Sequence, residues 1–191
     1  MKIFLLGLAM SGLLFTACNN NQKATATTGA DTSSRQAATA PEPKDSGKPL
    51  EKVLNGYLQL KNALSKDDDK DAAEAGKGLV EAMASLDSKS LSGEQAKVFQ
   101  DVADDIKEHA EHIGANAGNI KHQREHFETL SQDMYDLVKA GNPTGDKLYY
   151  DHCPMYNKGK GANWVSEKKE IENPYMGKEM LGCGTVKEEM N

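Results

Sequence analysis

Two cysteines stand near the end of the chain, and each has a methionine beside it. Cys153 opens Cys153-Pro154-Met155, and Cys183 closes Met180-Leu181-Gly182-Cys183, while His152 precedes the first cysteine. Thiolate, thioether and imidazole are the soft and borderline donors that select Cu(I) and, with fewer sulfurs, zinc. Gly182 and Gly184 would let backbone come close to an ion held there. The spacing is not that of a zinc ribbon, which needs close cysteine pairs at both ends. A disulfide between Cys153 and Cys183 answers to the same residues, because paired thiols outside the cytoplasm tend to oxidise. Residue types alone leave metal and disulfide open.

These donors sit in a stretch, 149–184, rich in Gly, Pro, Asn and Lys. That composition reads as loop with short strands, at 163–166 and in the final segment. A loop of this length needs something to hold its shape. What precedes it is helical. Residues 50–64 carry an apolar stripe at 50, 53, 54, 57, 58 and 64, and 72–86 carry one at 72, 75, 79, 80, 83 and 86. Gly76 and Gly78 weaken this second helix or admit a close neighbour. The Asp-rich break at 65–71 can cap it; the same aspartates lack the glycine and closing glutamate of an EF-hand loop. Ser92 with Gln95 forms a capping box that starts a third helix, running to about Ile113 with Val98, Phe99, Val102, Ile106, His109 and Ile113 on its stripe. The fourth spans 120–140, with Ile120, Phe127, Leu130, Met134, Leu137 and Val138 facing the core, and is stopped by Gly141 and Pro143. The expected class is all-α: an antiparallel four-helix bundle with a C-terminal irregular, short-strand segment that carries the metal site.

Three features of the helices bear on chemistry. His109 and His112, three apart, share a face of the third helix and can both reach one ion, although a histidine on an apolar stripe is more often a satisfied core residue. His122 and His126, four apart, fall opposite the apolar stripe of the fourth helix and read as a solvated face, with weak adventitious metal binding as the lesser reading. Arg124 falls on that stripe; a buried guanidinium needs carboxylate or carbonyl partners, so it reads as a structural clamp on the C-terminal loop, with an anion site as the lesser reading. Trp164 and Tyr175 are expected to pack the loop onto the helices.

The start of the chain carries an address. Lys2 is followed by an apolar run, 3–15, too short to span a bilayer as a helix, and then by Thr16-Ala17-Cys18. Small residues before a cysteine resemble the lipobox of bacterial lipoproteins, in which the cysteine, here Cys18, carries the lipid. An ordinary cleaved signal is the alternative. Residues 19–49, nearly free of apolar side chains, read as a disordered tether. The domains expected are thus 1–18, 19–49 and 50–191, the last ending in the Cys/Met segment 142–191. A net charge of −6 and a pI near 5.4 argue against nucleic acid and against a polybasic membrane face. No nucleophile, base or cofactor motif and no glycine-rich phosphate loop supports an enzyme.

The order of several motifs resembles the family known as domain of unknown function 3347. They are Tyr57-Leu58-Gln59-Leu60-Lys61-Asn62-Ala63-Leu64 before the Asp-rich turn, His122-Gln123-Arg124 with Phe127 and Leu130-Ser131, Cys153-Pro154-Met155, Trp164 with Ser166, Asn173-Pro174-Tyr175 with Gly177, and Met180 with Cys183-Gly184. The resemblance runs from about Leu50 to Val186. Members of this kind occur as lone lipoproteins, and related domains form the C-terminal part of periplasmic adaptor subunits of heavy-metal efflux pumps of the RND type. The resemblance implies metal handling in the envelope of a Gram-negative-type bacterium, facing the periplasm or the surface, and shifts the balance from disulfide to metal. The expectation is a lipid-anchored protein that captures or buffers Cu(I), with zinc as the alternative, and passes it to an efflux system or its adaptor. Cys153, Met155, Met180 and Cys183 would be sulfur ligands, and His109 or His112 would complete the site. The competing expectation is an interaction module pinned by the disulfide and holding no metal.

Overall fold

A computed structural model describes residues 49–191. Cys18, expected to carry the lipid, lies outside the described residues, as do the expected signal and nearly all of the expected tether.

Four long helices come first: α1 Pro49–Ser65, α2 Asp69–Ser85, α3 Gly93–Ala115 and α4 Ile120–Ala140. The last three begin where a side chain satisfies free amides at the helix start. Asp68 accepts from Asp71 N at the start of α2. Ser92 and Gln95 form the reciprocal capping box of α3. Asn119 accepts from His122 N at the start of α4. Each helix packs on the next in the chain, and α1 and α2 meet α4 less extensively. Gly76 lets α2 close on α3: a Cβ there would lie 2.9 Å from Ala110 O, whereas Gly78 faces open space.

The core is Tyr57, Leu60 and Leu64 of α1, Leu79 of α2, Ile106, Ala110 and Ile113 of α3, and Phe127, Leu130, Met134 and Leu137 of α4, all essentially inaccessible. Burying a side chain of this size stabilises by roughly 1.5–3 kcal/mol, which is why these stripes set the helix faces. Tyr57 and Phe127 stack at 5.3 Å, and Tyr57 Oη meets Ser131 Oγ at 2.9 Å and accepts from Val165 N at 3.0 Å. One α1 residue thus ties α4 to the C-terminal segment.

That segment corrects the all-α expectation. It contains an antiparallel three-stranded sheet of order β2-β1-β3, formed by β1 Leu148–Cys153, β2 Ala162–Ser166 and β3 Thr185–Met190. The strands anticipated at 163–166 and in the final segment are β2 and β3. β1, the central strand, is the one that composition missed. Tyr149, Asp151 and Cys153 pair with Ser166, Trp164 and Ala162 of β2, and β3 passes Lys187 as an extra residue between Val186 and Glu188. α4 supports the sheet: Tyr135 stacks on Tyr150 at 3.8 Å, and Tyr135 and Lys139 both donate to Glu188.

Candidate metal centre

The short turn between α3 and α4 decides where the helix histidines go. Asn116 Nδ2 donates to His112 O at 2.7 Å, and Asn119 Oδ1 accepts from His122 N at 3.3 Å, so the turn is bonded to the backbone of the two histidines that flank it. Beneath it the fully buried Gln123 donates to Asp69 O at 2.9 Å and Ile113 O at 3.3 Å, fixing α4 against α2 and α3. Rising positions on α3 therefore meet falling positions on α4, and 109, 112, 122 and 126 converge on one seam.

His126 is the centre of this cluster. Its Nδ1 lies 3.0 Å from His109 Nδ1, and its Nε2 lies 3.2 Å from His122 Nε2. Its ring stacks on His112 at 4.3 Å, nearly parallel. One ring nitrogen from each of His112, His122 and His126 falls within 4.8 Å of the others. Two nitrogens bound tetrahedrally at zinc distances are about 3.3 Å apart, close to the His122–His126 separation. Burial first, then neighbouring imidazoles, hold His109 and His126 below the ordinary histidine range, so both are neutral donors at pH 7. Carboxylates stand behind the ring: Glu125 Oε2 is 3.6 Å from His122 Nδ1, and Glu108 Oε1 is 3.9 Å from His112 Nε2. Such partners orient metal-binding imidazoles and raise their basicity. His109 occupies the same position behind His126. His112 is exposed and the other three are half-buried, so the cluster opens to solvent on one side.

This arrangement corrects the reading of His122 and His126 as a solvated face. It also corrects the joining of His109 or His112 to the sulfurs. Among the described residues, His112, His122 and His126 form the group of three or more His, Cys, Asp or Glu donors that could hold one ion, and neither cysteine belongs to it. His109 sits at the edge of α3's buried face, where Ala110 and Gly114 take the core positions. The signal for the quartet was present as two spaced pairs. What was missing was the rotation of α4 about its axis, which the Asn119 cap and buried Gln123 set.

The sulfurs divide. Cys153 is fully buried in β1, Cys183 is partly buried before β3, and both are free thiols. Burial and the adjacent Cys153 push the Cys183 thiol up. Met155 is 53 % exposed, so it does not cover Cys153. Met180 is partly buried, and its carbonyl accepts from Cys183 N at 2.9 Å, closing the turn that presents Cys183. The fully buried Asn173 holds this turn: its N donates to Leu181 O at 2.8 Å and its Nδ2 to Cys183 O at 2.5 Å.

Arg124 ties the loop to the helices. Its Nε donates to Pro174 O at 2.7 Å, and its Nη2 to Leu64 O at 2.9 Å and to Asp67 Oδ1 at 2.6 Å. Asp67 in turn accepts from Lys178 N at 2.9 Å. Gly177, at φ +56°, sits against this pair, and a Cβ there would collide with Asp67 Oδ1. Tyr175 meets Phe127 at 5.6 Å and Trp164 at 5.9 Å, joining α4 to the inner face of the loop.

A mainly helical domain with a small antiparallel sheet and an open imidazole cluster is the class that emerges. Residues 53–146 match the family described as Protein of unknown function (DUF3347), and the chain belongs to that family. The match covers the four helices with all four clustered histidines and ends before β1, so the motifs quoted from 153–184 lie beyond it. No curated protein and no solved structure matches the chain.

Proposed function

We propose that this chain is a metal-binding protein of a bacterial envelope, anchored through lipid on Cys18, that captures copper or zinc at His112, His122 and His126. The observation that carries the reading is the convergence of three imidazoles from two helices, two of them at ligand spacing. Imidazole suits both ions, and nitrogen sites bind copper more tightly than zinc, so copper is the first cargo proposed. Three protein ligands leave a position open for water or for a donor from a receiving protein, which fits transfer to an efflux system or its adaptor. Antiparallel bundling of the four helices would make the α3–α4 seam rigid before the ion arrives. The role proposed is binding, with no reaction assigned.

The test is titration of the full chain in detergent with Cu(II), Cu(I) and Zn(II), each against a competing chelator. A His122→Ala/His126→Ala variant should lose at least about a hundredfold in affinity, and Cys153→Ser should lose none, since ligand-shell changes act at this scale or above. Binding should also raise the melting temperature, because an ion held only by the folded state stabilises it by about 2.7 kcal/mol at a hundredfold excess over Kd. A double histidine variant with wild-type affinity would sink this assignment, and loss of binding in Cys153→Ser would move the site to the sulfurs.

A further inference from the structure

Cys153 and Cys183 are unlike each other in a way that a merely structural pair need not be. Cys153 has no exposed surface, while Cys183 reaches solvent on a turn where Leu181 and Gly182 are exposed. The strands bring the two together: His152, next to Cys153, pairs with Thr185 of β3, and a Cβ on Gly184, next to Cys183, would lie 2.9 Å from His152 O. Two residues before Cys153, on the same face of β1 and about 6.6 Å away along the strand, lies Asp151. Asp151 is fully buried, and both of its carboxyl oxygens lack a hydrogen-bond partner. Trp164, opposite Asp151 on β2, is also fully buried, with its indole N–H unpartnered. Unpaired buried polar groups are rare in a native core and mark places where strain or chemistry is kept.

We infer that Cys153 and Cys183 form a thiol–disulfide exchange site for small or peptide disulfides, with Cys183 as the attacking thiol and Cys153 as the resolving one. The Cys183 thiolate attacks one sulfur of a disulfide R–S–S–R. That S–S bond breaks, one R–S⁻ leaves and takes a proton from solvent, and Cys183 is left in a mixed disulfide. Cys153 then gives up its proton, attacks the Cys183 sulfur and expels the second R–S⁻, which is protonated in turn. The protein dithiol has lost two electrons and two protons, and the substrate disulfide has become two thiols. Asp151 is the buried carboxyl nearest along the strand to take the Cys153 proton; burial lifts its pKa to about 7, against the nearby Lys61 charge. The thiol pair stands apart from the histidine centre, so either reading survives the failure of the other.

The test equilibrates the full chain, purified in detergent and freed of metal by chelation, in graded mixtures of reduced and oxidised glutathione. Alkylation and peptide mapping read Cys153 and Cys183 separately from Cys18. The expected result is reversible, two-electron conversion of the pair. The chain's single tryptophan should report it, because Trp164 Cη2 would lie 3.1 Å from a Cβ on Gly184, the residue after Cys183. Cys153→Ser should accumulate a mixed disulfide on Cys183, and Cys183→Ser should react at least about tenfold more slowly, since access governs which sulfur attacks. Circular dichroism on both variants checks that they fold. Equal reaction of the two single variants, or conversion only after unfolding, overturns the inference. So does a pair that stays reduced across the whole range.

Discussion

The two donor clusters of this domain are built by opposite means. The imidazoles sit on two helices joined by a short turn, and each helix supplies a pair at three- or four-residue spacing. The thiols sit 30 residues apart in sequence, on a central strand and on a turn held by one buried asparagine. The first cluster depends on local order and the rotation of one helix. The second depends on strand pairing and loop docking, which are long-range. The helices should therefore hold their site when the C-terminal segment loosens, and the reverse should fail, because the sheet leans on α4 and the loop on Arg124.

Arg124→Ala gives the largest expected effect on that contrast. The substitution leaves Asp67 without its guanidinium and removes the donors to Leu64 O and Pro174 O. Losing charged hydrogen bonds from a mostly buried site should lower stability by about 3 kcal/mol in denaturant unfolding. Hydrogen exchange should rise most in 173–186, with α3 and α4 near the histidines protected as before. Uniform loss of protection would mean the two regions are one cooperative unit, and the comparison drawn above would fall.

Asp151→Asn comes next and bears on the sheet alone. Burial lifts the Asp151 carboxyl to about 7, with Lys61 opposing and Glu167 adding to the rise. In the unfolded chain it would ionise near the ordinary value of about 3.9. Between those values the native state keeps a proton that the unfolded state has lost, so its presence costs stability progressively as pH rises from about 4 to 7. Asp151→Asn should match wild type near pH 4 and exceed it by a margin that grows up to about pH 7 and then stays constant. A constant difference between the two across that range would show that Asp151 does not titrate as its burial requires.

How much of this was legible follows the same division. Capping residues and 3.6-residue stripes are local, so the helices could be placed from 50 onward, with the Ser92–Gln95 box and the Gly141 stop at their structural positions. Arg124 stood out because a charge on an apolar stripe must have partners. β1 did not stand out. Its run Leu148-Tyr149-Tyr150-Asp151-His152-Cys153 mixes polar with apolar residues, and its central place rests on partners about 10 and 35 residues further along the chain. The histidine quartet lay between these cases. Each pair was visible, but a stripe drawn through Arg124 turned His122 and His126 away from α3. Gln123, fully buried beside Arg124, shows that the buried arc of α4 is wider on that side.

His109→Ala carries the smallest expected effect and decides how the imidazole cluster is organised. His109 meets His126 through Nδ1 on both rings, at 3.0 Å, which leaves His126 Nε2 turned to His122. On the proposed reading, His109 would act from behind, fixing the tautomer and orientation of His126 without itself holding the ion. Its removal should weaken metal binding about tenfold, near 1.4 kcal/mol, well short of the loss from His126→Ala. His109→Asn, which keeps a polar group near His126 Nδ1, should recover part of that. The two measurements together separate a three-ligand site with a positioning histidine from a four-imidazole site. Losses of equal size in His109→Ala and His126→Ala, with no recovery in His109→Asn, would place His109 among the ligands. The open position through which the ion would be handed on would then be closed, and a capture-and-transfer role would give way to tight storage.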